Sequence, residues 1–214
     1  MSGGRITAWA AVTAALALSA LIPTAARAQR SDDVFEINYY ANANTDGVTA
    51  DATVRITNPG THGAPPHGTV PVTPGKGIGD LCALIYVFSA DQQLAECCGC
   101  PVTPNGLLTL SVKNDLTKNP LTPVTLHEGA IKIISSTPPA SGSCDAKSAV
   151  PTPELVAWAT HVQKPTSSSP GVITETAFED AQLSDAELSL LQDKCGDIQD
   201  NGSDHGVCTC GTGD

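Results

Sequence analysis

The feature that most constrains the fold of this chain is its set of eight cysteines. Three of them crowd into residues 96–101, written ECCGCP. An even number of cysteines in an exported chain is typical of a disulfide framework, and eight cysteines allow 105 connectivities if all of them pair. We therefore expect disulfides to fix much of the topology. The full set is Cys82, Cys97, Cys98, Cys100, Cys144, Cys195, Cys208 and Cys210.

The N-terminal residues predict export. Arg5 precedes an uncharged apolar run over residues 6–22, and Ala26 and Ala28 supply the small residues that a signal peptidase recognises. The run is short for a membrane-spanning helix, which disfavours an uncleaved anchor. We predict a signal peptide over residues 1–28 and a secreted or periplasmic location, with no membrane association after cleavage.

The charge of the exported chain limits its partners. Removing Arg5 and Arg27 from the 11 basic residues leaves nine against 22 acidic ones, a formal charge of −13. Such a chain repels the phosphates of nucleic acids, so we expect no nucleic-acid partner. A protein or cell-envelope partner remains open, although the sequence does not say which.

Period-2 patterns predict a mainly β fold over residues 29–180. VFEINYY and ATVRIT alternate apolar with polar residues, whereas LCALIYVF is apolar on both faces and predicts a central strand. LLTLSV, AIKII, ELVAWATHV and VITETAF bring the total to seven or eight short strands. No helices alternate with them, so we predict an antiparallel two-sheet, Ig-like β-sandwich.

Residues 181–214 predict one C-terminal helix and a disulfide-tethered tail packed on the same domain. Ser184 and Glu187 form a capping box at the helix start. Gly196 can end the helix early, which places its last residue between Lys194 and Gln199. The polar, glycine-rich tail that follows has only two cysteines to hold it in place.

Strand register suggests particular cysteine pairs. A hairpin that turns at residues 90–91, with Phe88 opposite Gln93, places Cys82 near Cys98 and Cys100, so we predict that Cys82 pairs with one of those two. Neighbouring residues of a strand point to opposite faces, so Cys97 and Cys98 should have different partners. We also predict that Cys195, near the helix end, pairs with Cys208 or Cys210.

An alternative is a thiolate site for zinc or copper. If their thiols are free, the cysteine clusters and one histidine supply soft ligands. Their spacing fits neither a zinc ribbon nor a ferredoxin, and an oxidising compartment favours disulfides. The candidate ligands are Cys97, Cys98, Cys100, His205, Cys208 and Cys210.

The chain contains no sequence signature of catalysis. We find no nucleophile elbow, P-loop or HExxH helix, and we interpret His127 and His161 as structural. Only Tyr39, Tyr40 and Trp158 could offer aromatic platforms to a sugar, and we interpret Trp158 as a core residue. We expect no cofactor and no catalytic residue.

Three functional hypotheses follow, in order of preference. The first is an exported, disulfide-stabilised, non-catalytic β-sandwich that serves as a cell-surface, matrix or binding module. The second is an extracytoplasmic metal-binding protein that uses the cysteine clusters. The third, and weakest, is a secreted hydrolase.

The stretch CALIYVFSADQQLAECCGCPVTPNGLLTLSV, together with NGSDHGVCTCG, resembles uncharacterised exported cysteine-rich proteins of soil bacteria of the acidobacterial type. The likeness covers most of the exported chain, and the cysteine clusters are its most distinctive part. It implies a bacterial, extracytoplasmic protein and brings no known activity.

Overall fold

The computed structural model describes residues 34–42, 51–63, 76–163 and 171–211. All of the described residues belong to one compact unit, Ser31–Asp214. The predicted signal peptide therefore lies outside the described residues. Within those residues, no helix is long and apolar enough to cross a membrane.

Nine strands, one long helix and a short π-helical turn (Val112–Leu116) form the regular structure of the described residues. The strands are β1 (Phe35–Ala41), β2 (Thr53–Thr57), β3 (Leu81–Ser89), β4 (Leu94–Val102), β5 (Leu107–Ser111), β6 (Glu128–Ser136), β7 (Val156–Gln163), β8 (Val172–Ala177) and β9 (Glu179–Asp180), and the helix is α1 (Asp185–Asn201). Sheet A has the order β4-β3-β6-β1-β9 and sheet B the order β5-β2-β7-β8. All pairings between these strands are antiparallel, which confirms the predicted two-sheet sandwich.

The main core lies between the two sheets. Sheet A contributes Ile85 and Ile133, and sheet B contributes Val54, Ile56 and Ala159. All five side chains are buried, and Val54 and Ile56 follow the alternation that ATVRIT predicts. The core is mostly aliphatic, as expected of a chain with few aromatic residues.

A second core lies on the outer face of sheet A, beneath α1. There Leu84 and Tyr86 of β3 pack in one cluster with Leu191, Cys195 and Ile198 of the helix. Strand β3 is therefore covered on both faces, which confirms its prediction as a central strand and explains why LCALIYVF shows no alternation.

Strand β7 presents the opposite face from the one expected, and β1 buries side chains on both of its faces, with Phe35 beneath α1. In β1, Tyr40 is fully buried between the sheets, whereas Tyr39 is 43% exposed. In β7, Ala157 and Ala159 face the core and Trp158 is 37% exposed, so the interpretation of Trp158 as a core residue is wrong. A period-2 pattern shows which residues share a face, but it does not say which face points inward when both carry apolar residues.

The helix begins where the capping box predicts and ends later than predicted. The Ser184 side chain accepts a hydrogen bond from the Glu187 main-chain N–H at 3.1 Å. The helix continues through Gly196 to Asn201, and Gly202 N donates to the Ile198 carbonyl at 2.7 Å. A glycine inside a helix costs only about 1 kcal/mol, less than burying the apolar face of α1 contributes.

Candidate functional site

All eight cysteines are paired, and the pairs differ from those that register suggested. The disulfides are Cys82–Cys144, Cys97–Cys195, Cys98–Cys208 and Cys100–Cys210, with Cα–Cα distances of 5.5, 5.9, 5.2 and 5.4 Å. Four disulfides indicate that the domain folds in an oxidising, extracytoplasmic compartment.

The three cysteines of ECCGCP do bind three different partners, as the alternation of a strand requires. Cys97 points to the outer face of sheet A and reaches the helix, whereas Cys98 and Cys100 belong to the core between the sheets. The prediction that Cys97 and Cys98 serve different partners is confirmed.

The predicted partners of Cys82 and Cys195 are wrong. Cys82 lies opposite Pro101, because Phe88 pairs with Leu94 instead of Gln93 and the register shifts by one more residue between Val87 and Phe88. Its side chain faces outward, away from the face that carries Cys98 and Cys100, so it pairs with Cys144 in a loop beyond β6. Cys195 pairs with Cys97 because α1 crosses that same outer face.

The tail lies alongside β4 as a parallel extended segment. Cys97 N donates to the Gly206 carbonyl at 2.9 Å, and Cys208 N donates to the Cys97 carbonyl at 3.3 Å. Parallel alignment places the two C-x-C motifs side by side, so Cys98 meets Cys208 and Cys100 meets Cys210. The tail thereby covers the β4 edge of sheet A.

Gly99 makes room for the Cys144 loop at the centre of this cluster. A Cβ at Gly99 would lie 2.6 Å from the Cys144 carbonyl carbon and 2.8 Å from the Asp145 nitrogen. Both are main-chain atoms that cannot rotate away, so the glycine of ECCGCP allows the loop to approach and the Cys82–Cys144 bond to close.

The metal hypothesis required free thiols, and the disulfides leave none. Its five cysteines, Cys97, Cys98, Cys100, Cys208 and Cys210, are all in disulfides. A disulfide sulfur lacks the thiolate charge that zinc and copper bind. His205, the sixth candidate ligand, is hydrogen-bonded through Nδ1 to Asn119 Oδ1 at 3.0 Å. Among the described residues, no group of three acidic, cysteine or histidine side chains could hold a metal ion.

Asn119 connects the tail to a buried carboxyl group on β4. Its main-chain N–H donates to Glu96 Oε1 at 2.8 Å, and its Nδ2 donates to the Asp204 carbonyl at 2.6 Å. Glu96 is fully buried, and its Oε2 has no hydrogen-bond partner among the described residues. Burial raises the pKa of Glu96 to about 7, while the Asn119 hydrogen bond acts in the opposite direction. The sequence did not predict this group, because a buried glutamate on an edge strand cannot be distinguished from an exposed one by the residues around it.

His161 lies in a polar cluster between β1 and β7. Its ring stacks on Tyr39 with centroids 3.8 Å apart, and its Nε2 lies 2.8 Å from Thr176 Oγ1. Gln163 Nε2 donates to the Tyr39 hydroxyl at 3.0 Å. His161 is fully buried and burial lowers its pKa, so the neutral ring is favoured. The ring is hidden beneath Tyr39, which fits the structural role that the sequence suggested.

An open cleft of about 720 Å³ lies next to this cluster, at one end of the sandwich. Its wall includes Tyr39, Asp91, His127 and Glu128. Asp91 accepts a hydrogen bond from Ser89, and the Tyr39 hydroxyl is occupied by Gln163, so part of the polar wall is already bonded within the chain.

The outer face of sheet B exposes the least expected side chains. Trp158 and Leu107, the latter 63% exposed, line a shallow hollow of about 390 Å³ together with Arg55, Thr57 and Glu175. Arg55 Nη1 forms an ion pair with Glu175 Oε1 at 3.3 Å. We call these five residues the Trp158 face.

No protein-family model and no curated protein matches the chain. Among solved structures, it is similar to the one described as the crystal structure of Thermotoga maritima 1070, at 12% sequence identity and a TM-score of 0.41. The alignment covers 71% of this chain and 97% of that one. A likeness of this degree assigns no function.

Proposed function

We propose that this protein is an exported, disulfide-stabilised, non-catalytic domain that binds a partner at the cell surface or in the matrix, and that the Trp158 face is its binding surface. The observation that carries the proposal is the position of Trp158. A large aromatic ring stands 37% exposed at the centre of a sheet, where burial against the opposite sheet would have stabilised the fold.

The composition of the Trp158 face supports binding. Tryptophan and arginine are enriched among the residues that dominate binding energy, and the face carries both, with Leu107 as an apolar neighbour. The outer face of sheet A carries apolar side chains too, but α1 covers them. Trp158 and Leu107 are exposed among the described residues, and large apolar side chains exposed in one region are typical of an interaction site.

Rigidity supports the same function. The Trp158 face is built from β2, β5, β7 and β8, and the inner sides of the first three strands pack into the main core. Side chains fixed on packed strands lose little conformational entropy on binding, so more of the contact energy appears as affinity.

Trp158 also provides the test. It is the one tryptophan after residue 28, because the other, Trp9, lies in the predicted signal peptide. Emission from the exported chain therefore reports on the proposed binding surface alone. Titration with cell envelopes of the native host, carrying their polysaccharide, should shift the emission to the blue and protect it from acrylamide.

Site-directed variants separate specific binding from adhesion. We expect Trp158→Ser to abolish co-sedimentation with envelopes and Leu190→Ser to leave it unchanged. Leu190 is a suitable control because it is an apolar residue, 49% exposed, on α1, at the opposite surface of the sandwich. Equal sedimentation of Trp158→Ser and the parent chain would show that the Trp158 face is not the binding surface.

A further inference from the structure

We propose that the outer edge of β8, which is free because it pairs with no strand among the described residues, accepts an extended, basic segment of a partner protein as a fifth strand of sheet B. This inference deepens the proposed function by naming a class of partner, and it rests on that function because Glu175 belongs both to the Trp158 face and to β8.

The main chain of β8 exposes two residues at its outer edge. Just beyond the strand, Phe178 N donates to the Ala157 carbonyl of the β7 segment at 2.9 Å. In an antiparallel pair, the main-chain N–H and C=O groups of successive residues point alternately toward the neighbouring strand and away from it. Those of Thr174 and Thr176 therefore also point toward β7. Ile173 and Glu175 therefore direct their N–H and C=O groups away from the sheet.

Asn38 of β1 limits the length of this edge. Its Nδ2 donates to the Ala177 carbonyl at 3.1 Å and to Thr176 Oγ1 at 3.0 Å, which occupies the C-terminal end of β8. Ile173 and Glu175 remain, and together they can exchange four main-chain hydrogen bonds with an added antiparallel strand. Donors and acceptors on every second residue of a strand match the spacing of those on an extended polypeptide.

Strand β8 carries one of the devices that protect an edge, the charge of Glu175, but its sequence lacks others. Its sequence, VITETA, contains no lysine, proline or glycine, and all six residues are exposed. The edges of sheet A are treated differently, because the tail lies along β4 and β9 pairs with β1. β-Branched residues at an open edge favour pairing with another strand.

Charge selects a basic partner over a second copy of this chain. Glu175 on β8 is followed closely by Glu179 and Asp180, and the formal net charge of the whole chain is −11. Two such edges brought together would repel each other, whereas an arginine opposite Glu175 is attracted. A residue two positions further along the added strand lies opposite Ile173, where an apolar side chain fits. The expected pattern is therefore a basic residue, any residue, then an apolar one.

The probe is a synthetic peptide of about ten residues in which threonine alternates with arginine and valine, a length typical of a strand. We expect calorimetry to show binding to the exported chain that weakens in 0.5 M salt. Replacing arginine by glutamate in the peptide, or N-methylating its central amides, should remove binding.

A matched pair of variants isolates the main chain of β8. Ile173→Ala and Ile173→Pro both remove the isoleucine side chain, but only the proline removes the outward N–H, and proline is tolerated at an edge position of this kind. We expect Ile173→Pro to bind the peptide about tenfold more weakly than Ile173→Ala. If Ile173→Pro does not fold, the N-methylated peptide makes the same test on the parent chain.

Three results would overturn the inference. The first is equal affinity of the two folded Ile173 variants for the peptide. The second is equal affinity of the N-methylated and parent peptides for the parent chain. The third is a parent chain that sediments as a dimer and that Ile173→Pro converts to a monomer. The last would assign the edge to a second copy. Failure of the proposed function is distinguishable, because it appears as envelope binding that Trp158→Ser leaves intact, whatever the peptide does.

Discussion

Removing a disulfide should cost less stability at the long-range Cys100–Cys210 pair than at the shorter-range Cys82–Cys144 pair. The first joins residues 110 apart in sequence and the second joins residues 62 apart. The chain-entropy account attributes more stabilisation to the longer closed loop, so sequence separation alone predicts the opposite order.

The order reverses because Cys98–Cys208 lies beside Cys100–Cys210. With Cys98–Cys208 intact, the second bond closes a ring of only a few residues, since each cysteine is two positions from its neighbour. The relation between loop length and chain entropy then gives a stabilisation of about 2 kcal/mol for Cys100–Cys210. No neighbouring disulfide shortens the loop of Cys82–Cys144 in this way, and the same relation gives about 4 kcal/mol.

Two double-serine variants test this reasoning, Cys100→Ser with Cys210→Ser and Cys82→Ser with Cys144→Ser. Each pair joins a buried cysteine to a partly buried one, so the packing losses largely cancel in the comparison. Urea unfolding at neutral pH without reductant, with the remaining disulfides verified by mass mapping, gives the two free energies of unfolding. A larger loss for the Cys100–Cys210 variant would refute the argument from the neighbouring bond.

Three further predictions concern single residues. Because burial raises the pKa of Glu96 to about 7, its protonated form stabilises the fold fully below about pH 4.5, and this contribution is lost as the pH rises to about 7. We therefore expect the free energy of unfolding of Glu96→Gln, measured in urea relative to the parent, to be higher at pH 8 than at pH 4 by up to about 3 kcal/mol. The same difference at both pH values would contradict the raised pKa. Gly99→Ala should displace the Cys144 loop and lower the melting temperature by several degrees, which calorimetry would detect, whereas no change would mean that the loop yields freely. Ser184→Ala should lower the free energy of unfolding in urea by about 1 kcal/mol, because it removes the hydrogen bond that caps the helix at Glu187. Ser184→Asp should retain the cap and the stability.

Strand positions could be predicted from the sequence because they depend on local alternation and on turn residues. The capping box at Ser184 is local in the same sense, and it begins the helix as expected. The inward faces of β1 and β7 could not be predicted. Tyr39 and Trp158 look like core residues in a linear pattern, and only the packing of two sheets and a helix places Tyr40 and Ala159 inside instead.

The cysteine pairs could not be predicted because each depends on where a distant segment crosses the sheet. The hairpin register predicts that Cys82 lies close to Cys98, yet the two side chains occupy opposite faces of sheet A. The matching C-x-C motifs of β4 and the tail were a usable signal, since two cysteines with the same spacing fit a parallel pair of strands.

The arrangement of ECCGCP on one edge strand keeps the disulfides apart from the proposed binding surface. Cys97 joins the helix to sheet A, Cys98 and Cys100 join the tail, and Gly99 admits the Cys144 loop. No cysteine belongs to β2, β5, β7 or β8, so sheet B, which carries the Trp158 face and the free β8 edge, contains no disulfide-bonded residue. Outward side chains on sheet B can therefore change without disturbing the four disulfides. The proposed binding surface can therefore change at little cost in stability, because substitutions at exposed positions away from such constraints usually change the free energy of unfolding by less than about 0.5 kcal/mol.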